Sequence, residues 1–378
     1  MRILWHGPHP DMPTGYGTQT ALLLPRFQAL GHDVAVSATA GQDNHPGMWR
    51  GVPVYPCTTY ADVGEDTVRS NYRDFNADIV FTLLCTWLLK YPVVWRDLRT
   101  VHMTPVDCAP MSISDNEVIE KTGGTPAAIS KFGLDQMRAG GEGRAVLDPL
   151  YLPHGIDTKC FTPARDRDAI RDGMGYEGKF VVGMNFMNND KRRKNVDAAM
   201  RGFARFHEKH PDAVLAIHAI QALPEGIHTV RFARHLGLKP GESVTWSPQE
   251  ELVRGMISPA MLADWYAACD VVLDIGNEGF GLTGLEGQAC GTPVIRGDWS
   301  TGPELAGPGW LVRGEPRWND KHEADWGEAH VESVAEALAD AHADAANRRD
   351  AARDFALTYD IKKIVREHWE PVLGELDG

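Results

Sequence analysis

Short apolar runs alternate with helical stretches along almost the whole chain, and that alternation leaves few folds open. RILW (2–5) leads into a polar, Pro/Gly-rich loop, HGPHPDMPTGYG, then into TQTALLLPRFQALG (18–31) and HDVAVSA (32–38). Strand, glycine loop, helix and strand open a parallel α/β domain, because parallel neighbours need a crossover and a helix is the usual one. Gly31 stands where a helix C-cap belongs, and Pro25 predicts a kink or break inside the helix. ADIVFTLL (77–84), RTVHM (99–103), AAIS (127–130) and LDPLYLP (147–153) continue the strands. Residues 158–178 are polar without a long apolar run, which predicts a linker. A second series follows: KFVVGMN (179–185), AVLAIHAI (213–220), VVLDI (271–275) and TPVIRG (292–297). Between them, Val196, Ala199, Met200, Phe203 and Phe206 recur at helical spacing and predict one buried face. The order predicts two doubly wound domains with a cleft between them.

The stretch richest in chemistry is NEGFGLTGLEGQACGTPVI, residues 277–295. It leaves an apolar strand, turns on Gly279 and Gly281, and enters a helix near Thr283. In open α/β sheets, ligands bind at the carboxyl ends of strands, where helix N-termini turn free N–H groups outward. Glycines let those amides approach a ligand closely. Glu278 precedes the loop and Glu286 is read as lying in the first helical turn. If the loop folds back over the helix start, both carboxylates face one pocket. Such a pair would repel a purely anionic ligand but suits neutral hydroxyls beside a phosphate, since carboxylates accept hydroxyl hydrogen bonds. The competing reading is structural: Thr283 and Glu286 form T-x-x-E, a capping box that only starts a helix.

EGFGLTGLEGQACGTPVI resembles the E-x7-E segment of the retaining nucleotide-sugar glycosyltransferases, the large family-four group. Glu278, Gly279, Phe280, Gly281, Leu282, Glu286, Gly291, Pro293 and Val294 stand in matching positions. The resemblance implies an α/β fold of GT-B architecture, two Rossmann-like doubly wound domains facing a central cleft. It places an acceptor-side domain at 1–160, a nucleotide-sugar domain at 175–352, and a helix at 353–378 that packs back on the first domain. LTYDIKKIVREHW (357–369) looks like that final helix. By the same resemblance, Glu278 contacts the donor sugar near the reacting centre, and Glu286 binds the ribose. The amides of Phe280 to Leu282, with Gly279, Gly281 and Thr283, would hold sugar and phosphate. MNNDKRRKNVDAAMRGFARF (187–206) is similar to the family's basic loop, in which Lys194 matches the lysine that neutralises the diphosphate. The family's arginine usually follows the strand glycine, but Met184 follows Gly183 here, so Arg192 and Arg193 both remain candidates. KRRK (191–194) as a solvated basic cluster is the plain alternative.

The first half matches more loosely. TGYGTQT (14–20) resembles the first-domain glycine loop, with Gly15 and Gly17 beside donor phosphate or acceptor. The family often sets a histidine after a buried strand, and His102 is the candidate here. The close His–Asp pairing is absent, and Asp107 lies five residues on. LYLPHGIDTKCF (150–161) resembles the end of the first domain, with His154 replacing an asparagine, and Glu304 in STGPELAG (300–307) reads as structural.

The activity implied is retaining transfer of a sugar from a nucleoside-diphosphate sugar to an acceptor hydroxyl, without a metal or other cofactor. A nucleotide-sugar epimerase or hydrolase of related fold and a non-catalytic nucleotide-sugar-binding protein are the rivals. DRD (166–168) mimics a metal-binding D-x-D but lies in the polar stretch, and no His/Cys cluster has zinc spacing. Net charge is −14, which disfavours nucleic acid as acceptor relative to a small molecule, glycan or protein. Six cysteines without a C-x-x-C pair, an N-terminus short of apolar residues and no apolar run beyond IVFTLLCTWLL (79–89) predict a cytoplasmic protein.

Overall fold

Both apolar series close into sheets that are almost wholly parallel. The computed structural model describes residues 1–41, 45–57 and 63–378, which fall into two units. The first unit comprises Met1–Gly155, Asn319–Ala324 and Ile361–Gly378; the second comprises Ile156–Trp318 and Asp325–Asp360.

The first unit holds β1 (Arg2–Gly7), β2 (Asp33–Ala38), β3 (Gly47–Trp49), β4 (Val52–Tyr55), β5 (Ile79–Leu83), β6 (Thr100–Thr104), β7 (Thr125–Ala128) and β8 (Leu150–Tyr151). Their order is β3-β4-β2-β1-β5-β6-β7-β8, and only the β3–β4 pair is antiparallel. The helix after β1 runs Gly15–Ala29 straight through Pro25, and Gly31 follows it at φ +90°. Of the expected kink or break, the break does not occur: Pro25's fixed φ is helical and it forfeits a single donor.

In the second unit, β9 (Phe180–Asn185), β10 (Ala213–His218), β11 (Val244–Trp246), β12 (Val271–Asp274), β13 (Val294–Gly297) and β14 (Trp310–Val312) pair in the order β11-β10-β9-β12-β13-β14, all parallel. β15 (Gly314–Asn319) and β16 (Ala324–Ala329) form a separate two-stranded sheet. β10 is buried at every position, as expected of a parallel strand covered on both faces. The helix Val196–His207 turns Val196, Ala199, Met200, Phe203 and Phe206 into the core, the face its spacing predicts. Gly202 on that helix is where the helix Val331–Asp344 comes closest, since a Cβ there would collide with Val334.

The chain steps outward from β9 to β11 and then returns to the other side of β9 as β12. The loops after β9 and β12 thus depart in opposite directions and leave a crevice at the carboxyl ends of those two strands.

Residues 158–178 are not a free linker. Asp166 caps the helix Arg167–Gly173 by accepting from the Ala169 amide at 3.0 Å. Arg167 and Arg171 reach Asp270 at 2.6 and 3.1 Å, and Asp270 also accepts from the Val181 amide at 2.7 Å. Asp166 and Arg167 of DRD are therefore occupied in a cap and an ion-pair network that ties this segment to the start of β9. Asp270→Ala leaves the buried Arg171 without its counter-charge; it should lower unfolding free energy by about 3 kcal/mol, read from urea denaturation.

Candidate active site

Three polar residues join the two loops at the crevice. Asn195, at φ +50° just before the helix Val196–His207, donates to Ile275 O (3.0 Å) and Gly327 O (2.9 Å). Asn277 receives the Gly327 amide (2.8 Å) and donates to Gly327 O (3.0 Å), and its own amide binds Arg193 O at 2.7 Å. Arg193 in turn donates to Asn277 O at 3.0 Å. The loop carrying the basic cluster and the loop carrying the glycines are thereby laced to each other.

That lacing delivers Lys194 to Glu278. The Lys194 ammonium binds Glu278 Oε1, and Arg193 Nη1 lies 3.5 Å from Glu278 Oε2. Arg192 is exposed, and the amides of both arginines bind Asp190 Oδ1 (2.7 and 2.8 Å). Of the two arginines, only Arg193 is paired with Glu278 among the described residues. Burial works to raise the Glu278 carboxyl, but Lys194 and Arg193 outweigh it and hold the group below the usual carboxylate range. Burial and the neighbouring Arg193 push the Lys194 ammonium down, while Glu278 pulls it back up. We take the pair as ionised at neutral pH, since each charge is the other's principal compensation.

The glycine loop rests on a buried ion pair. Arg296 of β13, 1 % exposed, donates to Asp274 Oδ2 at the end of β12 (2.8 Å) and reaches Gly281 O at 3.4 Å. Thr283 Oγ1 donates to the same Asp274 oxygen at 2.9 Å. Gly281 has φ +99°, and a Cβ there would strike the Arg296 guanidinium. The position thus needs glycine on both counts. Thr301 Oγ1 lies 3.1 Å from Glu278 O and 2.7 Å from Phe280 O, and the Glu278 amide binds Ser300 Oγ at 3.3 Å. Gly279 is buried, and the Phe280 ring packs edge-on against Tyr359.

The helix begins at Leu282 and runs to Ala289 with no side-chain cap. Thr283 is spent on Asp274, so the T-x-x-E capping reading does not hold. Glu286 lies one turn deeper than expected and is buried. Tyr266 donates to Glu286 Oε2 (3.2 Å), and Asn185, at the end of β9, donates to the Tyr266 hydroxyl (2.7 Å). Burial raises the Glu286 carboxyl from 4.5 to about 7, against the Tyr266 hydrogen bond, which lowers it. Glu278 and Glu286 thus meet different partners: one is charge-paired, the other held by a hydroxyl.

In the first unit, the Gly17 amide is taken by the Thr14 side chain at 3.1 Å, and a Cβ at Gly17 would strike Met12 O. Gly17 therefore serves the helix cap and close loop packing, while Gly15 at the first helical position is exposed. His102 lies inside β6, wholly buried, with Nδ1 3.0 Å from Thr82 Oγ1 and its ring edge-on to Trp95. Burial, reinforced by His6, drives it down to about 3, so the imidazole is neutral. Asp107 lies half-buried in the turn after β6. The sequence reading missed Asn195, Asn277, Tyr266 and the Asp274–Arg296 pair; a charged Arg296 within the apolar run PVIRG was the available signal.

Two outcomes follow. Gly281→Ala should destabilise the fold and weaken any ligand of the loop, measured by thermal unfolding with and without ligand. Glu286 binds its proton more tightly folded than unfolded. Its contribution is full below pH 4.5 and lost as pH rises through about 7. The ligand-free protein should lose roughly 3 kcal/mol across that window, and Glu286→Gln should remove that part of the fall in denaturation curves taken at successive pH values.

No family model matches the chain. It is 31% identical over 151 residues to a D-inositol 3-phosphate glycosyltransferase of Catenulispora acidiphila, covering 37% of this chain and 32% of that protein. With the enzyme of the same name from Xylanimonas cellulosilytica, identity is 30% over 203 residues, 48% of this chain and 42% of that protein. The matched stretch thus spans less than half the length of these relatives. Among solved structures, a glycosyltransferase from Rickettsia africae superposes with TM-score 0.71 at 15% identity, covering 99% of this chain and 98% of that one. Anabaena HepE in complex with UDP and glucose gives 0.69 at 16% identity, covering 98% and 99%. The chain has the GT-B fold, and the relatives it matches by sequence are named glycosyltransferases.

Proposed function

We propose that this protein transfers a sugar from a nucleoside-diphosphate sugar to an acceptor hydroxyl, with retention at the anomeric carbon and without a metal. The observation that carries the reading is Glu278, a half-buried carboxylate paired with Lys194 and Arg193 at the carboxyl ends of β9 and β12. Beside it a helix N-terminus without a side-chain cap leaves its first amides free of a side-chain partner. Amides and two cations suit a diphosphate leaving group, and a fixed carboxylate suits the positive charge that develops on the sugar. Glu286, close to half-protonated at neutral pH, is suited to exchanging hydrogen bonds with ribose hydroxyls. The HepE complexes with UDP, UDP and glucose, and UDP-glucose support a nucleotide-sugar donor on this fold. In this reading Lys194 and Arg193 provide the positive charge that a metal supplies in other transferases. The inositol phosphate in the relatives' names belongs to those proteins; the acceptor here is defined only as a hydroxyl. No helix among the described residues is long and apolar enough to cross a membrane.

Donor turnover by the purified protein, with UDP, GDP and ADP sugars and candidate acceptors, is the direct test. Glu278→Ala should cut kcat far more than nucleotide affinity, while Glu286→Ala should weaken nucleotide binding by about 1–3 kcal/mol in calorimetry. Fast donor turnover with no acceptor would favour an epimerase or hydrolase, and nucleotide-induced thermal stabilisation without any turnover a binding protein. Negligible effects of both substitutions would overturn the assignment.

A further inference from the structure

Three potential metal ligands distant in sequence meet on the second unit, at the opposite edge of its sheet from Glu278. Asp212 immediately precedes β10, so it lies at the amino ends of the parallel strands; Glu278 follows the carboxyl end of β12. His210 comes from the turn after the helix Val196–His207, its amide bound to Phe206 O at 3.1 Å. Its ring stacks on Phe206, with centroids 4.4 Å apart and planes inclined by 23°. His342 comes from the helix Val331–Asp344, and its ring sits 4.8 Å from Phe180 and 4.3 Å from His210. His342 Nε2 is 3.8 Å from Asp212 Oδ2. One ligand atom from each of the three residues lies within 4.8 Å of the other two.

We propose that His210, Asp212 and His342 form a binding site for a divalent transition-metal ion of zinc's class. Ligands about 2.1 Å from a tetrahedral zinc lie about 3.4 Å from one another, so the observed separations need only small side-chain adjustments. Two imidazoles and a carboxylate match zinc, nickel, cobalt and copper, whereas magnesium and calcium prefer all-oxygen shells. Phe180 and Phe206 form a floor that already orients both rings. Two imidazoles this close beside one carboxylate exceed what a simple surface ion pair requires: protonated together they repel, and as neutral donors they share one cation. The remaining position falls to water, since the cluster faces solvent. Bound there, the ion clasps the end of the helix Val331–Asp344 to the start of β10. The clasp is remote from the sugar-transfer residues and independent of that reading. The sequence reading found no such cluster because His342 is 130 residues from Asp212 and no local spacing announces it.

The experiment is calorimetric titration of the chelator-stripped full chain with zinc, nickel and magnesium chlorides, paired with thermal unfolding. Zinc and nickel should bind at one ion per chain and raise the unfolding temperature, and magnesium should do neither. His342→Ala and Asp212→Asn should weaken zinc binding by at least the roughly 10–100-fold typical of losing an outer-shell partner. The exposed His235→Ala should bind as the parent does. His210→Ala also removes the stack on Phe206; if it fails to fold, the other two variants carry the test. Absence of stoichiometric zinc binding, or binding unchanged in His342→Ala and Asp212→Asn, overturns the proposal.

Discussion

The carboxyl edge of the second sheet depends on the ion pair between Asp274 and Arg296. Both belong to strands, so their backbones are fixed by the parallel ladder, and neither can retreat to water. A buried pair of this kind contributes little net stability, because its attraction mostly offsets the desolvation of two charges. Its effect is positional. Arg296 reaches the Gly281 carbonyl and Asp274 takes the Thr283 hydroxyl, so the start of the helix Leu282–Ala289 is set from below. An apolar pair in the same place would pack as well and orient nothing.

Above that foundation the charge is nearly balanced. Lys194 and Arg193 face a single carboxylate, leaving one net positive charge in the ligand-free site. In the proposed reading, a diphosphate that engages Lys194 competes with Glu278 for its donors, so binding would shift part of one ionic partnership to another. The carboxylate released by that exchange is the group assigned to the sugar. Lys194 is already largely desolvated in the folded chain, which makes such an exchange less costly than recruiting a lysine from solvent.

Much of the fold was legible because burial on both faces leaves a plain trace: β9, β10 and β12 are apolar up to their last residue, and the helix Val196–His207 shows its face every third or fourth residue. Local breaks misled. Pro25 resides inside a continuous helix, and the polar stretch 158–178 is anchored by Asp270, a partner about a hundred residues away. The E-x7-E spacing located Glu278 and Glu286, but not what holds them. Tyr266, Asn195 and Asn277 act through tertiary neighbours that periodicity cannot register. The burial of His102 was hidden for a related reason: pattern identifies a strand, while the depth of a residue within the sheet depends on the strands alongside.

Thr301 reaches two carbonyls with one hydroxyl. A hydroxyl owns one proton, and the shorter contact, to Phe280, is the better claimant; the Glu278 carbonyl is left with a weaker share. The carbonyl of the Glu278–Gly279 peptide is therefore held less tightly than that of the Phe280–Gly281 peptide. One hydroxyl thus gathers both ends of the turn, so the backbone that carries the acid and the backbone that leads into the helix are tied to the same side chain.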